Sequence, residues 1–155
     1  MTNRRAAMRM TDEEALAFLE AERTVICATN GRDGFPHLMP LWYVVRGGTV
    51  WAWTYAKSQK AKNLERDPRA TLQVETGHSY EQLRGLMLRT RAVLHRDEAT
   101  VLGFVEELAA RYAPPGVDPA AMREGFAAQV PKRVAIEFTE VDRVSWDHRK
   151  LGGTY

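Results

Sequence analysis

The sequence predicts an α+β domain built around a six-stranded antiparallel barrel. Three observations predict it. Six short stretches have the β-branched, apolar or alternating composition of strands, glycine-bearing turns join the first three into hairpins, and helical patterns lie only outside these stretches. At 155 residues, 45% of them hydrophobic, the chain falls in the ordinary range of one globular domain, so residues 1–155 are expected to share one core.

The elements follow in order. Thr11-Asp12-Glu13-Glu14 is a capping box, because the Thr11 hydroxyl can accept from the amide three residues on while Glu14 reaches back to the amide of Thr11. A first helix therefore runs from there to about Glu22. Thr24 to Thr29 is the first strand, and Asn30-Gly31-Arg32-Asp33-Gly34 supplies the residues that tolerate positive φ, making a hairpin into Pro36 to Val45. Arg46-Gly47-Gly48 makes a second tight turn into Thr49 to Thr54. A short helix from about Gln59 to Arg66 is opened by Ser58 and closed by Asp67-Pro68, since proline disfavours helix in the residue before it.

Ala70, Leu72 and Val74 then alternate with Thr71, Gln73 and Glu75, and Leu86 to Leu94 is a fifth strand. Val101, Val105, Leu108 and Tyr112 fall at helical spacing after an Asp97 cap. The proline-rich run Ala113 to Pro119 is a loop to a further helix over Ala120 to Gln129, and Val134, Ile136 and Phe138 alternate in a last strand, a C-terminal strand that ends in Trp146. The strand from Pro36 to Val45 is unusual. Leu38, Pro40, Trp42 and Val44 on one face are matched by Met39, Leu41, Tyr43 and Val45 on the other, so neither face is built for water and a second cover is needed: a helix, a partner subunit or a flat ligand.

Composition excludes several classes. Lys and Arg total 22 against 20 acids, and a net charge of +2 gives no field for drawing in nucleic acid or an anionic membrane. No stretch approaches the roughly 18 apolar residues of a membrane span. The basic segment Met1 to Met10 runs into Asp12 to Glu14 where a signal peptide would need apolar residues, and Cys27 has no cysteine to pair with, so a cytoplasmic location is expected. His37, His78, His95 and His148 show no metal-ligand spacing, and neither a Rossmann fingerprint nor a Walker loop is present, so no protein-built metal site is expected.

Chemistry concentrates in Trp51-Ala52-Trp53-Thr54-Tyr55-Ala56-Lys57-Ser58-Gln59-Lys60-Ala61-Lys62-Asn63-Leu64, a strand running into a helix start. The free amides and positive dipole end of a first helical turn favour an anion, Ser58 can donate a hydroxyl, and Lys57 or Lys60 can add charge. That combination suits phosphate. On composition alone, a solvated helix face accounts for Lys57, Lys60, Lys62, Arg66 and Arg69 equally well.

This segment resembles the pyridoxamine phosphate oxidase superfamily of split β-barrel flavoproteins, in which an aromatic strand and Thr are followed by Ser, Arg, Lys, a small residue and Leu. Thr54, Ser58, Lys60, Ala61 and Leu64 match in register, and Asp67-Pro68 matches the helix end. Gln59 stands where the oxidases have arginine. With Lys60-Ala61-Lys62-Asn63, it makes the chain look more like the flavin/deazaflavin oxidoreductase branch, many of whose members use coenzyme F420. The turn Asp33-Gly34-Phe35-Pro36-His37, the strand start Pro40-Leu41-Trp42, Leu83-Arg84-Gly85-Leu86 and Trp146-Asp147-His148-Arg149-Lys150-Leu151 extend the resemblance over most of the chain.

The resemblance implies a split-barrel homodimer with two cofactor sites at its interface. Lys60, Ser58 and Gln59 would hold the cofactor phosphate, Thr54 and Asn63 would support it, and the backbone of Met39, Pro40, Leu41 and Trp42 would face the ring system. Lys57, Lys62, Arg66 and Arg69 are candidates for an acidic cofactor tail, and Trp42 and Trp53 for the substrate pocket. The implied reaction is hydride transfer from reduced F420 to an electron-poor small molecule such as an enone, quinone or tetrapyrrole. FMN is the alternative cofactor, and a module that binds flavin, deazaflavin or haem without turnover is the alternative function. No side chain is assigned as catalytic, although His37, Tyr55 and Tyr80 are candidate proton donors.

Overall fold

The computed structural model describes residues 3–153. Six strands, β1 (Thr24–Asn30), β2 (Pro36–Arg46), β3 (Thr49–Tyr55), β4 (Arg69–Thr76), β5 (Arg84–His95) and β6 (Arg133–Asp147), close an antiparallel barrel in the order β1-β2-β3-β6-β5-β4. Around it lie helices α1 (Arg4–Met8), α2 (Asp12–Ala21), α3 (Gln59–Arg66), α4 (Glu98–Tyr112) and α5 (Pro119–Ala127). The α+β barrel expected from the strand patterns is the fold observed.

Alternation builds the interior. Val25 and Cys27 of β1 point inward with Tyr43, Val50, Leu72, Leu86, Ile136 and Phe138 from the other strands. Ala15, Phe18 and Leu19 of α2 pack against the same cluster. The helix is held by its capping box, with Thr11 N donating to Glu14 Oε2 at 2.7 Å and Glu14 N to Thr11 Oγ1 at 3.2 Å. A second core lies outside the barrel, where Val44, Trp53 and Ala135 meet Val101, Phe104, Val105 and Leu108 of α4.

The β2–β3 turn uses Gly47 and Gly48 at φ +54° and +81°, the pair of positive angles that a two-residue hairpin turn needs. The last strand runs to Asp147, next to the Trp146 end expected for it; Asp142 pairs with Arg89 across the ladder, and an irregularity at Arg89/Thr90 shifts the register within it. One element differs from expectation. The short helix α1, capped by Asn3, precedes the first helix read from the sequence.

One feature of the barrel positions the site. Residues Pro36 to Trp42 of β2 pair with β1 alone, and β2 joins β3 only from Tyr43 onward. Beyond Ala52, β3 in turn pairs only with β6. The two strands of the hairpin thus splay apart, and among the described residues the outer backbone edge of Pro36 to Trp42 has no strand beside it.

Candidate functional site

At the splayed end of β3 the chain turns into α3, and local hydrogen bonds fix that turn. Ser58 N donates to Tyr55 O at 2.9 Å, Ala56 N to Lys132 O at 2.9 Å, and Ala61 N to Ser58 Oγ at 3.1 Å. Ser58 is therefore the N-cap of α3, and Thr54 Oγ1 lies 3.1 Å from its hydroxyl. Asn63 is fully buried, donating to Thr29 Oγ1 at 3.0 Å and accepting from Gln59 Nε2 at 2.9 Å, which ties α3 to β1.

Lys60 is the telling residue. It is only 5% exposed and no carboxylate among the described residues pairs with it, while its Nζ, which is not among the enclosed polar atoms left without a partner, keeps an opening to solvent. Burial pushes its pKa down, and Arg133 pushes in the same direction, while Cys27 opposes. Lys60 stands in the first turn of α3, where Ser58 takes the Ala61 amide and the amides of Gln59 and Lys60 have no intrahelical acceptor, a setting that favours an anion. The residues present thus fit a phosphate group.

Sequence reasoning missed Arg133. It opens β6 directly opposite Tyr55 and carries its guanidinium 3.6 Å from the centre of the Tyr55 ring and 4.6 Å from that of Trp53. Its Nε and Nη2 donate to Gln129 Oε1 at 3.2 and 2.5 Å, and burial lowers its pKa. The only sequence signal was a basic pair, Lys132-Arg133, placed just ahead of an alternating strand.

The other predicted residues divide into two groups. Met39, Pro40, Leu41 and Trp42 line the open edge, with Met39 and Trp42 46% and 45% exposed. Trp42 stacks on Tyr112 of α4 at 4.5 Å, and Phe126 of α5 stands edge-on to both Trp42 and Trp53. Trp53 itself is buried in the outer core against Phe104, so its place is behind Arg133 rather than on an open wall. Lys57 is exposed at the turn. Of the acidic-tail candidates, Arg66 donates to Asn30 O and Arg69 pairs with Asp67 at 2.6 Å. Gln59 commits one of its two amide N–H groups to Asn63, which leaves the other N–H and its carbonyl oxygen free.

Beside α3, Gly31, Asp33, Phe35, His37, Gln59 and Asn63 line a groove of ≈ 460 Å³. His37 Nδ1 is shielded from solvent there and has no hydrogen-bond partner among the described residues. Tyr55 lies against Arg133, and Tyr80 sits by His148, their ring centres 4.4 Å apart. Of the three candidate proton donors, only His37 and Tyr55 share the α3 end. Among the described residues no cluster of His, Cys, Asp and Glu is arranged to hold a metal ion, and no helix is long and apolar enough to cross a membrane.

A family model described as pyridoxamine 5'-phosphate oxidase matches residues 11–143. The chain belongs to that family. Within its fold, a conserved hypothetical protein from Mycobacterium tuberculosis is 36% identical, with a TM-score of 0.87 over 97% of this chain and 93% of that one. An F420 reductase shares the fold at 23% identity and a TM-score of 0.63, covering 82% of this chain and 93% of its own. The heme storage protein of Vibrio cholerae shares it at 16% identity and a TM-score of 0.68, covering 89% and 96%. No curated protein gives a significant match. The pyridoxamine 5'-phosphate oxidase fold thus houses both redox and binding proteins, and in this member its open strand edge, helix start and buried lysine lie together.

Proposed function

We propose that the chain is an F420-dependent oxidoreductase that works as a homodimer and passes a hydride to an electron-poor small molecule such as an enone, quinone or tetrapyrrole. The observation that carries the reading is Lys60, a buried cation without a protein counter-ion at the start of α3 and beside the splayed strands. When bound, reduced deazaflavin supplies the hydride. The chain's own tasks are to hold the phosphate with Lys60, the Ser58 hydroxyl and the first-turn amides, to present the edge of Met39 to Trp42 to a planar ring, and to offer Leu38 and Trp42, which share a face of β2, as an apolar wall for the acceptor.

F420 is favoured over FMN by Gln59, which removes a cation next to the phosphate, and by exposed Lys57 and Lys62 along α3, which suit an acidic tail. An F420 reductase among the proteins of this fold agrees with that choice. Exposed charge pairs contribute only about 0.2–1 kcal/mol each, so the tail should tune affinity rather than create it. The test is to measure F420 and FMN dissociation constants at low and high salt, followed by turnover of reduced F420 with enone and quinone acceptors. Tighter F420 binding, a salt-dependent margin and acceptor-dependent oxidation are expected. Tighter FMN binding at both salts would transfer the assignment to FMN, and tight binding of either cofactor without turnover would make the chain a binding module.

A further inference from the structure

We propose that Arg133 is the second cation of the anion site, contacting the same phosphoryl group as Lys60 from the opposite strand. This rests on the phosphate reading above and adds a residue to it. Register places Arg133 across from Tyr55, and the turn that follows is bound to the Arg133 segment by Ala56 N to Lys132 O and closed by Ser58 N to Tyr55 O. Arg133 is therefore built into the wall of the turn that starts α3.

Its guanidinium is also held for the task. Tyr55 and Trp53 provide ring contacts and Gln129 takes Nε and Nη2, yet among the described residues no carboxylate neutralises it and Nη1 has no partner. A planar donor fixed by flanking rings, with one nitrogen free, matches a phosphoryl oxygen. Several other arginines are neutralised where they stand, Arg46 by Glu107, Arg89 by Asp142 and Arg149 by Asp147, while Arg111 spends its Nη2 on the carbonyls of Leu19 and Glu22. Two cations left without carboxylates at one turn repel each other, and burial sharpens that repulsion. A bound anion removes it; burial lowers the pKa of both groups, and Arg133 lowers that of Lys60 further. Gln59 is neutral, so a second charge at this turn comes from Arg133.

The experiment uses the full chain and inorganic phosphate as probe, so that it does not depend on which cofactor binds. Phosphate is titrated by calorimetry at constant ionic strength against the unaltered protein, Arg133→Gln, Arg133→Lys, Lys60→Gln and, as a charge-matched control on the outer wall of β5, Arg91→Gln. Saturable binding is expected, weakened at least tenfold in Arg133→Gln and Lys60→Gln, about threefold in Arg133→Lys, and unchanged in Arg91→Gln. Phosphate should also slow phenylglyoxal modification of Arg133 in the unaltered protein while leaving Arg91 unprotected, a readout that holds even where a variant fails to fold. Unchanged phosphate affinity in Arg133→Gln, or absence of protection at Arg133, overturns the proposal. If Lys60→Gln alone loses phosphate, the anion site stands and Arg133 only props the turn. If phosphate binds as described but F420 does not, the proposal stands and the F420 assignment falls.

Discussion

At the scale of the residue, Lys60 combines a structural cost with a function. Lys60→Ala should weaken cofactor binding by about 1.5–3 kcal/mol, the range of a charge-assisted hydrogen bond, as read by fluorescence titration. Its melting temperature should not fall in step, because the variant also removes an unpartnered buried charge. The sign of the pH dependence follows from the same residue. In the free protein burial holds the Lys60 pKa below its ordinary value, so as pH rises the anion-binding ammonium is lost earlier than that of an exposed lysine. Cofactor affinity should therefore decline on the alkaline side earlier than an exposed lysine, near 10.4, would dictate, and Lys60→Arg should flatten the decline. A decline that persists unchanged in Lys60→Arg would assign it to another group. Lys60, Ser58 and Thr54 were legible as neighbours at one strand-to-helix turn because their spacing is local. Arg133 was not, because its place at that turn depends on pairing between β3 and β6, residues far apart in the sequence.

Elements were legible in proportion to how local their signals are. Helix α3 spans Gln59–Arg66 as its Ser58 cap and Asp67-Pro68 stop require, and α4 begins where Asp97 Oδ1 accepts from Thr100 N at 2.9 Å. Trp146 marks the end of β6 although charged Glu140, Asp142 and Arg143 interrupt the apolar alternation; Glu140 and Arg143 pair with each other, Asp142 with Arg89 and Arg143 also with Asp12. The β5–β6 ladder also contains its own test. Gly85 lies opposite Trp146, and a β-carbon added there would stand 2.0 Å from Trp146 Cζ2. Gly85→Ala must displace the indole, and a loss of about 1–3 kcal/mol is expected from denaturant unfolding. An unchanged midpoint would mean that the ring moves aside freely and does not pin the strand ends.

For the whole molecule, the sequence displayed an excess of apolar surface on β2 without identifying its cover. The fold accounts for part of it: Tyr43 is buried in the barrel and Val44 under α4, while Leu38 and Met39 remain 57% and 46% exposed, and Val141 and Val144 on β6 61% and 54%. A second copy is the cover the proposed function calls for. Sedimentation should give a dimer at micromolar concentration, with an obligate interface of roughly 2,000 Å² or more, and a monomer with cofactor present would count decisively against it. The splayed hairpin has a further consequence, for solubility. A bare strand edge is a template on which another extended chain can add, and prolines are one means of blunting it. Pro40 sits in the middle of the unpaired stretch of β2 and offers no N–H to an incoming strand. Besides whatever it contributes to a ligand, it should keep freshly made, unliganded chains from stacking into aggregates, so that Pro40→Val would shorten the time to turbidity in concentrated protein stripped of cofactor.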